Sequence, residues 1–234
     1  MPLILSIENS TRGCSVALHQ HGQLLANYDL LTDKSSSGWL TTLLHNAVEH
    51  AGFRLADLDA VAVAKGPGSY TGLRIAVSTA KGLCFALDKP LVAIDTLAAM
   101  AAQICEFYPK THLFCPLIDA RRMEVYCAVF DNNLAYIKPT SAQIIDENAF
   151  EDLLETNKIV FFGDGAAKCK TVLEHNPNAV FLPTLIQPSA KTVGLLATEA
   201  FERQQFEDLT TFEPYYLKDF MTTAPQKNKI VQVD

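Results

Sequence analysis

Ten residues, Lys65-Gly66-Pro67-Gly68-Ser69-Tyr70-Thr71-Gly72-Leu73-Arg74, restrict the fold of this chain more than any others. They follow an apolar run, Ala60-Val61-Ala62-Val63-Ala64, whose length and branched residues suit a buried strand. They open a helical pattern over residues 71–87. Gly66, Gly68 and Gly72 permit positive φ and close backbone approach, and Pro67 fixes one φ between them. Ser69 or Thr71 can cap the free N–H groups of the new helix. Strand, glycine turn and helix N-terminus in this order admit two readings: an anion-binding loop, or a tight strand-to-helix turn. The spacing matches neither the P-loop, which needs Lys-Ser/Thr after its last glycine, nor the dinucleotide G-x-G-x-x-G.

On either side of this block the chain alternates strand and helix, then starts again. Strands are predicted at residues 3–7, 14–19 and 24–30, the last two joined at His21-Gly22. A capped loop at 34–38 leads into a helix over 37–51. After the 60–64 strand and the 71–87 helix come a strand at 91–94 and a helix at 96–107. The second half repeats the order with strands at 113–118, 124–130 and 134–138, a helix at 147–155, a strand at 159–162 and a helix at 166–175. Glu8 and Asp119 then stand in equivalent places, each a carboxylate ending the first strand of its half. Gly163-Asp164-Gly165 stands where Gly66-Pro67-Gly68 stands. An internal duplication explains this better than the strand-helix alternation common to all α/β chains. A further helix over 189–203 and a polar, partly ordered tail running to Asp234 complete the chain.

Its 234 residues suffice for one large or two small domains with a real core. With 49% hydrophobic and 19% charged residues the chain is globular rather than disordered. A net charge of −7 without a Lys/Arg cluster disfavours direct, electrostatically driven nucleic-acid binding. Six scattered cysteines without a C-x-x-C pair, and an N-terminus unlike a signal peptide, suit reduced core thiols in the cytosol. No apolar run approaches 18 residues, so no transmembrane helix is predicted.

Three strands followed by alternating helix and strand, all duplicated, resemble the arrangement of the actin-like ATPase superfamily. The likeness narrows at Ile7-Glu8-Asn9-Ser10, Cys14-Ser15-Val16-Ala17-Leu18 and the long block from Gly66 to Ile75. It extends through Ile118-Asp119-Ala120-Arg121, Glu124-Val125-Tyr126, Gly163-Asp164-Gly165-Ala166 and Pro214-Tyr215-Tyr216-Leu217. In this order, over residues 4–217, these blocks resemble the bacterial TsaB (YeaZ) family. The resemblance implies two actin-like (RNase H-like) lobes, each a mixed five-stranded sheet flanked by helices. The first, over 1–108, would carry the dimerisation helices; the second would span 109–210, with a C-terminal segment and tail over 211–234. It also implies a non-catalytic, cytoplasmic subunit that supports TsaD, the enzyme that threonylcarbamoylates the adenosine next to the tRNA anticodon. A TsaE-like ATPase would join, tRNA would be met only indirectly, and the chain could homodimerise when alone. No cofactor is expected on the chain alone; ATP or ADP at the interface of the assembled complex stays open.

The family often has Asp where Glu8 stands. TsaD carries two metal-binding histidines four apart on the helix after its fifth strand, and the matching positions here are Thr96 and Met100, neither suited to that role. The six histidines offer no substitute: His45 and His50 are five apart, off a single helical face. Two rivals remain, a small-molecule kinase or ATPase of the same superfamily and a peptidase. A nucleophile needs an adjacent base and an orienting third group. Ser69 and Thr71 are better explained as caps, and no histidine has a recognisable motif. Asp119, Arg121 and Glu124 form either a functional trio or a salt-bridge cluster around a turn.

The helices carry the more specific signal. Over 71–87, Leu73, Ala76, Val77, Ala80, Leu83, Cys84 and Leu87 make one apolar face for the sheet. The opposite side reads Ile75, Ser78, Thr79, Gly82 and Ala86, small where charge is expected, with Arg74 and Lys81 flanking. Gly82 costs about 1 kcal/mol against Ala inside a helix, so a close helix approach is its expected reason. The helix over 37–51 is apolar through half its circumference, with Trp39, Leu40, Leu43, Leu44, Ala47, Val48 and Ala51. Surplus apolar surface on two neighbouring helices implies a partner matched to it, or burial against another part of the same chain.

Overall fold

The computed structural model describes residues 2–32 and 36–218. It contains two five-stranded mixed sheets. The first comprises β1 (Leu3–Glu8), β2 (Cys14–Gln20), β3 (Gln23–Leu30), β4 (Ala60–Gly66) and β5 (Leu91–Asp95), in the order β3-β2-β1-β4-β5. The second comprises β6 (His112–Asp119), β7 (Glu124–Phe130), β8 (Tyr136–Ile144), β9 (Lys158–Phe162) and β10 (Ala179–Phe181), in the order β10-β9-β6-β7-β8. Read from the other edge, the second order repeats the first strand for strand. β1 runs antiparallel to β2 and parallel to β4, as β6 does to β7 and β9. The β2–β3 turn uses positive φ at both His21 and Gly22, which matches the twist of an antiparallel pair.

Alternation along the strands divides each core in two. In the first sheet Leu3, Leu5, Ile7, Val61 and Val63 face α1 (Ser36–His50) and α2 (Tyr70–Leu87). On the other face Ile4, Ala60, Ala62 and Ala64 meet Ala99 of α3 (Thr96–Ala101) and Val193, Ala197 and Ala200 of α6 (Ala190–Glu202). The small residues of β4 let α6 lie close. Gly194 has no room for a side chain, since a Cβ there would fall 2.2 Å from His19 Nδ1.

The second sheet buries Leu113, Cys115, Leu117, Cys127 and Val129 under α4 (Glu151–Leu154) and α5 (Ala166–Leu173). Its opposite face, with Phe114, Phe130, Val160 and Phe162, is covered by Leu97, Met100 and Ala101 of α3 and by Ile104 and Cys105 beyond it. The lobes therefore exchange helices. The last helix of the first half sets Ala99 on the first sheet but Leu97, Met100 and Ala101 on the second, and the last helix of the chain covers the first.

This exchange revises the expected boundaries. Residues 190–202, expected within a lobe spanning 109–210, pack on the first sheet. The helix expected over 96–107 stops at Ala101 and continues as a 3-10 turn, Cys105–Phe107, because Ile104 and Cys105 turn into the second sheet's core. The helix expected over 147–155 shortens to Glu151–Leu154, after Phe150 takes a left-handed φ of 64° to bury its ring near Phe161. The third strand of the second half starts two residues later than expected and runs on to Ile144. Leu134, with φ 62°, belongs instead to the turn held by Asp131. All six cysteines are buried and free. Part of the 34–38 loop and the tail beyond 218 lie outside the described residues.

Candidate functional site

The glycine block is packed by the chain's own backbone. A Cβ at Gly68 would lie 2.2 Å from the Ser10 carbonyl oxygen, and one at Gly72 would lie 2.1 Å from that of Asn9. Gly66 takes φ +113°, with Tyr215 O 2.9 Å from where its Cβ would be. Ser69 N donates to Ser10 O at 2.6 Å, and Asn9 Nδ2 donates to Gly72 O at 3.0 Å. Of the two candidate caps Ser69 is the one used, its Oγ accepting from Gly72 N; Thr71 sits exposed inside the first turn. The tight-turn reading thus accounts for all three glycines. The second half repeats the device: a Cβ at Gly163 would meet Leu117 O at 2.3 Å, and one at Gly165 would meet Val125 Cγ1 at 2.9 Å.

The two equivalent carboxylates differ in their surroundings. Glu8 is 2% exposed; its Oε1 accepts from Ser10 N, and its Oε2 has no partner among the described residues. Burial pushes its pKa up to about 7, and the Ser10 hydrogen bonds offset only part of that. Asp119 is half exposed and paired with Lys168 Nζ, which also donates to the carbonyls of Arg122 and Glu124 at 2.7 Å each. Partial burial works to raise its pKa, but the Lys168 ammonium and Arg121 N–H outweigh that and hold it below the usual range. Of the trio considered for this turn, Arg121 contributes its amide to Asp119, and Glu124 pairs with Lys218. The cation that Asp119 uses comes from α5. Lys168 was not legible, because only its fold position three residues after Gly165 brings it there.

Between the lobes lies a cavity of about 280 Å³ lined by Lys65, Asp95, Tyr136, Pro139, Thr140 and Tyr215. Asp95 caps α3 by accepting from Ala98 N at 3.0 Å, and its other oxygen accepts from Thr140 Oγ1 at 3.3 Å. Thr96 and Met100 are fully buried, and Met100 packs toward Gly163. Among the described residues no three His, Cys, Asp or Glu side chains come together as a metal site.

Helices α1 and α2 lie on one face of the first sheet. The buried side of α2 is Leu73, Ala76, Val77, Ala80 and Cys84, as its periodicity requires, with Gly72. On its other side Ser78, Gly82 and Ala86 are exposed and Ile75 and Thr79 half-buried. Apart from its chain neighbours and the nearby backbone of α2 itself, no atom among the described residues lies within 4 Å of where a Gly82 Cβ would point. The expected interface set needs one correction on α1. Leu40, Leu44 and Ala47 are at most 3% exposed and belong to the core against the sheet, which leaves Trp39, 57% exposed, and half-buried Leu43 outside. One exposed aromatic residue of α2 went unnamed in that set. Phe85, one helical turn beyond Gly82, is 84% exposed. An aromatic residue beside a seam of small ones was the available signal.

A family model described as TsaD, tRNA N6-adenosine threonylcarbamoyltransferase, matches residues 30–231. The chain is 31% identical over 174 residues to the tRNA threonylcarbamoyladenosine biosynthesis protein TsaB of Bacillus subtilis, covering 73% of this chain and 75% of that one. It is 27% identical over 220 residues to TsaB of Escherichia coli, covering 92% and 94%. The solved structure of YeaZ from Pseudomonas aeruginosa matches with a TM-score of 0.80 at 25% identity, over 93% of this chain and all of that one.

Proposed function

The chain belongs to the TsaB (YeaZ) family and acts in tRNA threonylcarbamoyladenosine biosynthesis, and from that premise we propose that it is the non-catalytic subunit that pairs with a TsaD-like transferase. The observation that carries this reading is the outer side of α2. Phe85 stands almost fully exposed beside Gly82, Ser78 and Ala86, with Trp39 exposed on neighbouring α1. Large aromatic side chains beside small residues let a partner helix approach closely while the rings supply most of the buried area. Ile75, Thr79 and Leu43 would line the margin.

The rival readings have less support. The glycine block is filled by Ser10, Asn9 and Tyr215 backbone, and Ser69 is engaged as a helix cap. We assign the chain no catalytic residue and no resident cofactor; a nucleotide in the assembled complex would sit at the joint interface. A TsaE-like ATPase would join that complex, tRNA would be handled by the transferase, and a homodimer through the same face would form when the partner is absent. A cytoplasmic location follows from that role. Among the described residues no helix is long and apolar enough to cross a membrane.

Depletion of the protein, followed by mass spectrometry of tRNA nucleosides, tests the role. The modification should fall, and the purified chain alone should neither transfer the group nor turn over ATP. Normal modification in depleted cells would remove the proposal.

A further inference from the structure

After α6 the chain crosses the molecule rather than leaving it. Glu207 N donates to Leu91 O at 2.9 Å at the sheet edge, and Phe212 enters the first core. The Phe212 carbonyl accepts from Lys81 Nζ of α2 at 2.9 Å. Tyr215 N donates to Lys65 O at 2.7 Å, and its carbonyl covers Gly66. The Tyr216 ring stacks on that of Tyr70, the first residue of α2, with centroids 4.7 Å apart. Lys218 then pairs with Glu124 on β7 of the second lobe. Within seven residues the segment touches β4, two points on α2, and, through the Lys218 side chain, the opposite lobe. Beneath it, Tyr215 walls the cavity in which Asp95 of one lobe holds Thr140 of the other.

We propose that residues 212–218 are a clasp that ties the second lobe to helix α2 and holds the interlobe cleft shut. The links suit a closure that can be released. Main-chain hydrogen bonds and a buried Phe212 anchor the first-lobe end. The Tyr216 stack on Tyr70 adds to that end, and the end that reaches across depends on one ion pair whose members are 41% and 24% exposed. Contacts of that kind are individually weak and screened by solvent. Helix α3 joins the lobes through their cores, with Ala99 in the first and Leu97 and Met100 in the second, whereas the clasp joins them at the rim, beside the glycine block. Releasing its Lys218 end frees the rim of the cleft while Phe212 stays in the first core.

The test uses the full chain with spin labels at Gln23→Cys and Lys170→Cys, exposed positions on the first and second lobes. Pulsed electron resonance should give one narrow distance distribution for the parent. Tyr216→Ala with Lys218→Ala should broaden it and move its mean to longer distance, with unchanged circular dichroism. The charge swap Lys218→Glu with Glu124→Lys should restore the narrow distribution that Lys218→Glu alone loses. An unchanged distribution in the double variant would overturn the proposal, because the exchanged helices would then suffice. Loss of helical signal would overturn it too, since the segment would be core rather than clasp. The isolated chain is used throughout, so the outcome is independent of partner docking.

Discussion

The two lobes share a strand order but not a covering. In the first, α1 and α2 run 15 and 18 residues over one face of the sheet; in the second, α4 and α5 run only 4 and 8. The short helices cover their sheet with little to spare: Leu154, Ala166, Cys169 and Leu173 are all core. The long ones rise above it and carry Trp39 and Phe85 outward. The same contrast holds at the carboxylates, where Asp119 is paired and half exposed while Glu8 is enclosed with no ion pair among the described residues. One half of the duplication raises large aromatic side chains on long helices, and the other spends its short helices on its own core.

The comparison breaks most visibly along α2. Ala76→Glu, on the buried side, should abolish the folded first lobe, since an unpaired buried carboxylate costs upwards of about 4 kcal/mol. Gly82→Glu, on the open side, should melt like the parent yet fail to co-elute with a TsaD-like partner in size-exclusion chromatography. Equal loss of circular dichroism in both would mean that the seam is core.

Gly72→Ala probes the packed glycine block. Its methyl would overlap the Asn9 carbonyl, so denaturant unfolding should show a loss of about 3 kcal/mol. A neutral result would mean that the Glu8–Ser10 turn moves aside freely.

Glu8 sets a pH signature opposite in sign to that of Asp119, whose lowered pKa makes its contribution fade as pH falls. Its pKa rises from 4.5 to about 7 on folding, so the folded chain binds the extra proton and stability falls as pH rises across that window. Glu8→Gln should remove roughly 2–3 kcal/mol of that decline, read as the difference between parent and variant melts. His19, lowered to about 4, costs stability in the opposite direction as pH falls below 6.5, so the difference is needed to isolate Glu8. Parallel pH curves for parent and variant would show that Glu8 reaches solvent.

Lys168→Met is the mildest break. Asp119 would lose its ammonium but keep Arg121 N–H, for a cost of about 1 kcal/mol that shrinks in high salt. A larger loss would show that the two carbonyls held by Lys168 organise the β6–β7 turn.

Much of this was legible in the residues. Periodicity gave the strands around Ala62 and Val160 and named the buried side of α2 correctly, because a helix on a sheet must bury one stripe. What failed depended on distant partners. Nothing in the apolar pattern of α6 says which sheet it will cover; the contacts of Val193 and Ala197 with β1 and β4, and of Gly194 with His19, reveal it only in the fold. Leu40, Leu44 and Ala47 looked like surplus because the depth of α1 in the core is not written in α1. Local rules also favoured a longer helix before residue 155, and the burial of Phe150 overrode them.

The exchange of α3 and α6 has a consequence for how the protein is made. On the ribosome the first sheet is complete when Asp95 emerges, but the helix that covers Ile4, Ala62 and Val92 begins only at Ala190. For about two-fifths of the length of the chain, a finished sheet waits with one greasy face covered by little more than Ala99. Nascent chains at this stage are the species most exposed to aggregation and to chaperones. A stop codon placed after the second sheet, at residue 185, would leave both sheets synthesised and the first one uncovered.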